Sequence, residues 1–222
     1  MDVSKNLTPR LRMVCELLLP CECVADIGTD HAYVPIFLVQ KKLCRRAIAC
    51  DTAKGPLAAA RANIAKFGVK DVSVRESDGF SQILPNEADA AILAGMGGDL
   101  IVRIMASPTV STFQQIIIQP QRAPALIRRS LHQNGFLIDR EALCRENDRF
   151  YCAFRAVRGS EREWTMAQYE LGKRLIEDKH PLLASYAAHK IKKLSEALSH
   201  MPQEHENYAE YIELKHSLED FL

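Results

Sequence analysis

Apolar residues over the first 160 positions arrive in short, nearly continuous blocks separated by turn signals and amphipathic stretches. Such blocks read as buried strands, and the stretches between them as helices that cover a sheet. Leu7, Leu11, Val14 and Leu18 recur at helical spacing ahead of Pro20, which predicts a leading helix with Thr8 as its cap. The order then runs strand 24–27, helix 32–42, strand 46–50, helix 55–67 ending at Gly68, strand 72–76, strand 89–94, helix 99–106 and strand 113–119. A helix over 123–133, closed by Asn134-Gly135, precedes two last strands at 136–143 and 150–157. This alternation predicts an α/β fold with an open, mainly parallel sheet and an antiparallel edge pair. From Glu161 onward the pattern is helical only: Leu171, Leu175 and Ile176, then Leu182, Tyr186, Ile191, Leu194, Leu198 and Met201, then Tyr208, Ile212 and Leu218. The reading is a Rossmann-like domain over 1–158 and a helical domain over 159–222, two of whose helices form an antiparallel, coiled-coil-like hairpin. The apolar stripe of that extension reads either as packing or as an arm that clamps a large substrate.

The first strand runs into Asp26-Ile27-Gly28-Thr29-Asp30-His31-Ala32-Tyr33, and the second ends in Cys50-Asp51. A strand, a Gly turn and a helix, with a carboxylate about 20 to 25 residues further on, is how a doubly wound sheet holds an adenosine-containing cofactor. A dinucleotide needs further glycines so that its pyrophosphate can approach the helix start, and here Gly28 stands alone. Asp26 and Asp30 would repel a pyrophosphate but attract a cofactor with an ammonium and a sulfonium. The turn therefore favours S-adenosyl-L-methionine over a nicotinamide dinucleotide.

Ligands of open α/β sheets bind beyond the carboxyl ends of the strands, which gathers Asp26, Gly28, Asp30 and His31, then Asp51, then Asp78 and Gly79, then Gly95 to Gly98 on one rim. Asp51 is placed to accept from ribose hydroxyls and Asp78 from the adenine amine. Gly95-Met96-Gly97-Gly98 stands where base-amine methyltransferases carry an Asn/Asp-Pro-Pro-aromatic motif, which is absent. The glycines read either as room for a flat substrate or as a helix start that needs tight packing. His31 reads as a proton acceptor or as a structural residue, and Tyr33, Gln119 and Gln121 as substrate-side groups or ordinary turn chemistry.

The formal charge of +1 hides an asymmetry: residues 1–158 carry 21 Lys and Arg against 16 Asp and Glu, and residues 159–222 carry 8 against 12. The basic excess of the front is largely Arg, including Arg10, Arg12, Arg45, Arg46, Arg122, Arg128, Arg129, Arg145 and Arg149, whose planar forks suit phosphates. Scattered solvated charges explain the same count. Seven Cys without zinc spacing, in a chain showing neither an export signal nor a membrane-length apolar run, are expected to be free, buried thiols with no metal role. The expected location is the cytoplasm, with no membrane partner.

The strings Asp26-Ile27-Gly28-Thr29-Asp30-His31-Ala32-Tyr33-Val34-Pro35, Ala94-Gly95-Met96-Gly97-Gly98 and Ile118-Gln119-Pro120-Gln121, with the helical extension, resemble the bacterial tRNA (adenine-22-N1)-methyltransferases over essentially the whole chain. The resemblance implies a class I methyltransferase fold and methyl transfer from S-adenosylmethionine to N1 of adenine 22 in tRNA. Carried onto these positions, it implies cofactor binding by Asp26, Gly28, His31, Asp51, Asp78 and Gly79. Gly95 to Gly98 would lie between cofactor and target. On chemical grounds Asp30 is the candidate for stabilising the cationic product, so the catalytic set is Asp30, Gly95, Met96 and Gly97. The alternatives are a methyltransferase acting on another RNA, a protein or a small molecule, and a non-catalytic scaffold of the same fold.

Overall fold

Seven strands form one sheet in the computed structural model, which describes all 222 residues. They are β1 (Cys21–Ile27), β2 (Cys44–Asp51), β3 (Val72–Glu76), β4 (Ala90–Met96), β5 (Gln115–Pro120), β6 (Phe136–Glu146) and β7 (Arg149–Arg158). Their order across the sheet is β3-β2-β1-β4-β5-β7-β6. The first five pair in parallel, and β7 runs antiparallel to both β5 and β6. The central strands are buried on both faces, and β5 is buried at every position, as its run of Ile residues dictates.

The chain divides into two compact units, Met1–Glu161 and Arg162–Leu222. In the first, α1 (Pro9–Leu17), α2 (Tyr33–Gln40) and α3 (Lys54–Phe67) share one apolar core with the sheet, while α4 (Gly98–Met105) and α5 (Pro124–Gln133) pack on each other and against β4 and β6. The helix ends follow the local chemistry. Thr8 caps α1 by accepting from Leu11 N–H at 3.4 Å, and Gly68 closes α3 at φ +66°. The second unit holds a short π-turn at Gln168–Gly172 that continues into α6 (Lys173–Glu177), followed by α7 (Leu183–His200) and α8 (Tyr208–Glu219), which pack against each other.

Element types match the alternation read from the sequence, with shifted boundaries that have physical causes. The second helix begins at Tyr33 because Ala32 sits in the left-handed region at φ 56°. Strand β5 begins at Gln115 rather than 113, because a 3-10 turn at Pro108–Thr112 ends on Phe113. The edge strands β6 and β7 are longer than expected, since Asn147 and Asp148 both take positive φ and make a tight hairpin that keeps pairing up to Glu146 and Arg149.

Candidate active site

The ends of the parallel strands are tied together by backbone hydrogen bonds, and these align the acids. Gly28 and Thr29 N–H both donate to the Cys50 carbonyl at 2.8 Å, and Ser77 N–H donates to the Asp51 carbonyl at 2.9 Å. The ends of β1, β2 and β3 therefore advance side by side, carrying Asp26, Asp51 and Asp78 onto one edge. Gly28, at φ +75°, turns the chain away from β1, and a Cβ there would collide with Met96 Cε. Gly95, at φ +81°, lies within β4 at the point where its register against β5 shifts.

Two adjoining cavities open on this edge. One, of about 500 Å³, is lined by Gly28, Asp51, Thr52, Ser77, Asp78, Gly79, Gly95, Met96, Leu100, Arg103 and others. The other, of about 240 Å³, is lined by Arg10, Asp26, Gly28, Thr29, Asp30, His31, Tyr33, Gly95, Gln121 and others. Gly28, Ala94 and Gly95 line both, so these three residues form the sill between them.

The first cavity offers acceptors and an apolar wall. One Asp51 oxygen accepts from Ala53 N–H at 2.8 Å, which fixes the carboxylate on the cavity wall. Asp78 is held by Arg103, whose two terminal nitrogens approach its oxygens at 3.1 and 3.4 Å. Ser77 donates to the Gly79 carbonyl at 2.8 Å and accepts from Gln82 N–H at 3.1 Å, so the turn that carries Asp78 and Gly79 is rigid. Leu100 and Ile104 supply the apolar side. Phe80, next to Gly79, is buried against Phe113, with ring centroids 4.9 Å apart.

The second cavity holds the more unusual electrostatics. Asp26 is buried, and burial pushes its carboxyl up to about 6; Asp51 nearby adds to the rise and a hydrogen bond with the Thr29 side chain offsets part of it. A buried acid of this kind favours a cation beside it. Asp30 lies 3.2 Å from His31, and the His31 ring stacks on Tyr33 with centroids 5.4 Å apart and planes 27° from parallel. These two rings make a flat, partly exposed ledge at the cavity mouth.

Of the residues singled out in the sequence, Gly28, Asp51, Asp78, Gly79, Gly95 and Met96 line the first cavity. Asp26, Asp30, His31, Tyr33 and Gln121 line the second. His31 thus lines a different cavity from Asp51 and Asp78, and shares it with Asp26. Gln119 lines neither cavity: it is fully buried, its Oε1 accepts from Arg10 at 2.7 Å and its Nε2 donates to the Pro120 carbonyl at 2.7 Å. The glycines after β4 divide in role. A Cβ at Gly98 would press on Ala123 Cβ at 3.0 Å and the Arg122 carbonyl at 3.2 Å, which is helix packing, whereas a Cβ at Gly97 would meet nothing within 4 Å. Arg10, Thr52, Arg103 and Ile104 were missed as site residues. Arg10 had a signal, since Thr8-Pro9 marks a helix start and places it in the first turn.

The seven cysteines are free, and burial pushes the thiols of Cys21, Cys44 and Cys50 up to about 12, which keeps them protonated and inert. No group of three or more His, Cys, Asp or Glu is arranged to hold a metal ion, and no helix is long and apolar enough to cross a membrane.

Comparison with known proteins is consistent with this geometry. The methyltransferase domain family matches residues 7–154. The tRNA (adenine(22)-N(1))-methyltransferase of Bacillus subtilis is 34% identical over 149 residues, a match that spans 66% of this chain and 63% of that protein's length. Among solved structures, a Streptococcus pneumoniae protein described as a putative tRNA (m1A22) methyltransferase, in complex with S-adenosyl-L-methionine, superposes with a TM-score of 0.88 at 25% identity, covering 97% of this chain and 99% of that one. The B. subtilis m1A22 tRNA methyltransferase TrmK superposes with a TM-score of 0.82 at 28% identity, covering 96% of each chain. On the domain match the chain belongs to the methyltransferase domain family, and over nearly its whole length it is similar to bacterial proteins described as tRNA (m1A22) methyltransferases.

Proposed function

We propose that this protein is an S-adenosylmethionine-dependent tRNA methyltransferase that acts in the cytoplasm and converts adenine 22 of tRNA to 1-methyladenine. The observation that carries the reading is the pair of cavities meeting at Gly28 and Gly95: one presents acceptors for an adenosine, the other a buried acid beside a flat aromatic ledge. The relatives that match along the chain are described as acting on this tRNA position, and one was solved with S-adenosylmethionine.

In this reading Asp51 and Asp78 accept hydrogen bonds from the adenosine half of the cofactor, Gly28 and Gly79 keep its path open, and Asp26 faces the cationic amino-acid half. When bound, S-adenosylmethionine supplies an electrophilic methyl that the in-plane lone pair of adenine N1 can attack without prior deprotonation. The protein's own share is positioning and charge. Gly95 and Gly97 leave backbone without side chains where the base approaches, Met96 packs over the sill, and the His31–Tyr33 ledge and the Gln121 amide hold the base flat. Asp30, at the mouth of the same cavity, stabilises the positive charge that methylation leaves on the ring. Because N1 lies on the pairing edge, the nucleotide must leave its stack to enter. We assign residues 1–158 to catalysis and the helical remainder to contact with the tRNA body. Methyl transfer from labelled S-adenosylmethionine to tRNA transcripts with and without adenine 22 tests the assignment.

A further inference from the structure

The turn that joins β1 to α2 is braced at two points, both by the strand and helix that follow it. Gly28 and Thr29 N–H are tied to the Cys50 carbonyl at the end of β2. Further along, the His31 carbonyl accepts from Asn63 Nδ2 on α3 at 2.9 Å. No other hydrogen bond reaches residues 30–32 from beyond α2. Ala32 is buried and closes the turn at φ 56° and ψ 22° without a side-chain cap, a left-handed geometry that alanine adopts only under constraint. Asp30 and His31 protrude: their side chains are 75% and 48% exposed and touch each other at 3.2 Å, and the His31 ring stacks on Tyr33. These contacts are internal to the turn. Its link to the rest of the fold, on the side of the His31–Tyr33 ledge, is therefore Asn63. That residue lies in the interior of a helix rich in alanine, where Asn is a poorer helix former than Ala, and it lines neither cavity.

We propose that Asn63 is a positioning residue for the methyl acceptor: by holding the His31 carbonyl it sets the height and tilt of the ledge on which the target base rests. The assignment rests on the tRNA methyltransferase reading above. A peptide unit is planar, so a bond to the His31 carbonyl orients the whole unit between His31 and Ala32 and with it the direction in which the imidazole leaves the backbone. Two stacked rings define a plane for a base without gripping it. In-line attack on a methyl tolerates little misplacement, since an error of about 1 Å costs up to about a hundredfold in rate. Half-exposed rings lack the packing to hold that tolerance, and the backbone beneath them must supply it. The Asn63 bond is itself exposed, so it adds little to global stability. Its effect is local and directional, on the wall that faces the base; Asp51 and Asp78, in the other cavity, stand on turns held by separate bonds.

The test separates the rate of transfer from cofactor binding and from folding. Asn63→Ala and Asn63→Leu both remove the amide and both suit a helix interior, so the result does not depend on one variant. In each, single-turnover methyl transfer to unmodified tRNA transcripts at saturating tRNA is expected to fall roughly ten- to hundredfold. S-adenosylhomocysteine affinity by calorimetry should stay within about twofold, and the melting temperature within about 3 °C. Asn63→Gln, which keeps an amide donor on a longer stem, should recover part of the rate. Equal losses of rate and of S-adenosylhomocysteine affinity would overturn the proposal, because Asn63 would then be holding the turn for the cofactor. A wild-type rate in both variants would overturn it too, as would a loss of rate that merely follows a lowered melting temperature. A wild-type protein that binds S-adenosylhomocysteine and transfers no methyl to tRNA would defeat the functional reading itself, and the proposal with it, a failure distinct from the others because it needs no variant.

Discussion

The buried carboxyl of Asp26 gives the account a measurable pH signature. Burial raises it from an ordinary 3.8 to about 6 in the unliganded protein. At pH 5 only about one molecule in ten then carries the carboxylate, and at pH 8 nearly all do. A ligand whose ammonium requires that charge should bind roughly tenfold more weakly at pH 5 than at pH 8, about 1.4 kcal/mol, with proton release on binding that rises from about half a proton at pH 6 to nearly one at pH 5. Calorimetry with S-adenosylhomocysteine from pH 5 to 8, repeated in buffers of different ionisation enthalpy, measures both. His31 and Asp30 face the same cavity, so His31→Gln is the control and should keep the profile. Asp26→Asn should bind weakly with a flat profile. The folding linkage has the opposite sense. A carboxyl raised by folding stabilises the native state below its unfolded value near 3.8 and loses that contribution as pH rises through about 6, so the melting temperature of the unliganded protein should fall across that interval, and fall less in Asp26→Asn. A flat affinity profile in the wild type, or the same profile in Asp26→Asn, would refute the reasoning.

Three further outcomes follow from the same geometry. Gly28→Ala forces an L side chain into φ +75° and against Met96 Cε; it should cost about 1–2 kcal/mol of stability by thermal unfolding and abolish detectable cofactor binding. Gly97→Ala meets no neighbour, so it should cost at most about 1 kcal/mol as a helix N-cap and leave the cofactor Kd unchanged; a methyl-transfer rate equal to wild type would remove Gly97 from the substrate path. In the second unit, Lys192 and Lys193 are adjacent exposed cations on α7. The double variant Lys192→Glu/Lys193→Glu should weaken tRNA binding and flatten its salt dependence at constant cofactor affinity; an unchanged salt slope would argue that this stretch does not contact the tRNA.

The fold was legible because burial on both faces writes itself into β4 and β5 as continuous apolar runs, and because Gly68, Thr8 and Asn134-Gly135 punctuate the helices with caps that need no tertiary context. The turn after β1 was equally plain, since Asp26, Gly28 and Asp51 lie at fixed offsets from the strands that carry them. What escaped depends on side chains meeting from distant parts of the chain. Gln119 and Arg10 are 109 positions apart, and nothing local says that one will be buried to hold the other. Phe80, one residue after Gly79, is buried against Phe113, which arrives on the approach to a later strand. The doubling of glycines at 97 and 98 concealed two different causes, open space and helix packing, which only the neighbours of each can separate.

The central claim is the transfer of a methyl group to one atom of one nucleotide, and its most direct test is an assay on unmodified tRNA transcripts with labelled S-adenosylmethionine, comparing adenine 22 with guanine at that position. The account predicts incorporation into the first transcript, recovered as 1-methyladenosine on nucleoside digestion, and none into the second. Equal incorporation into both, or none into either while S-adenosylhomocysteine still binds, would contradict it.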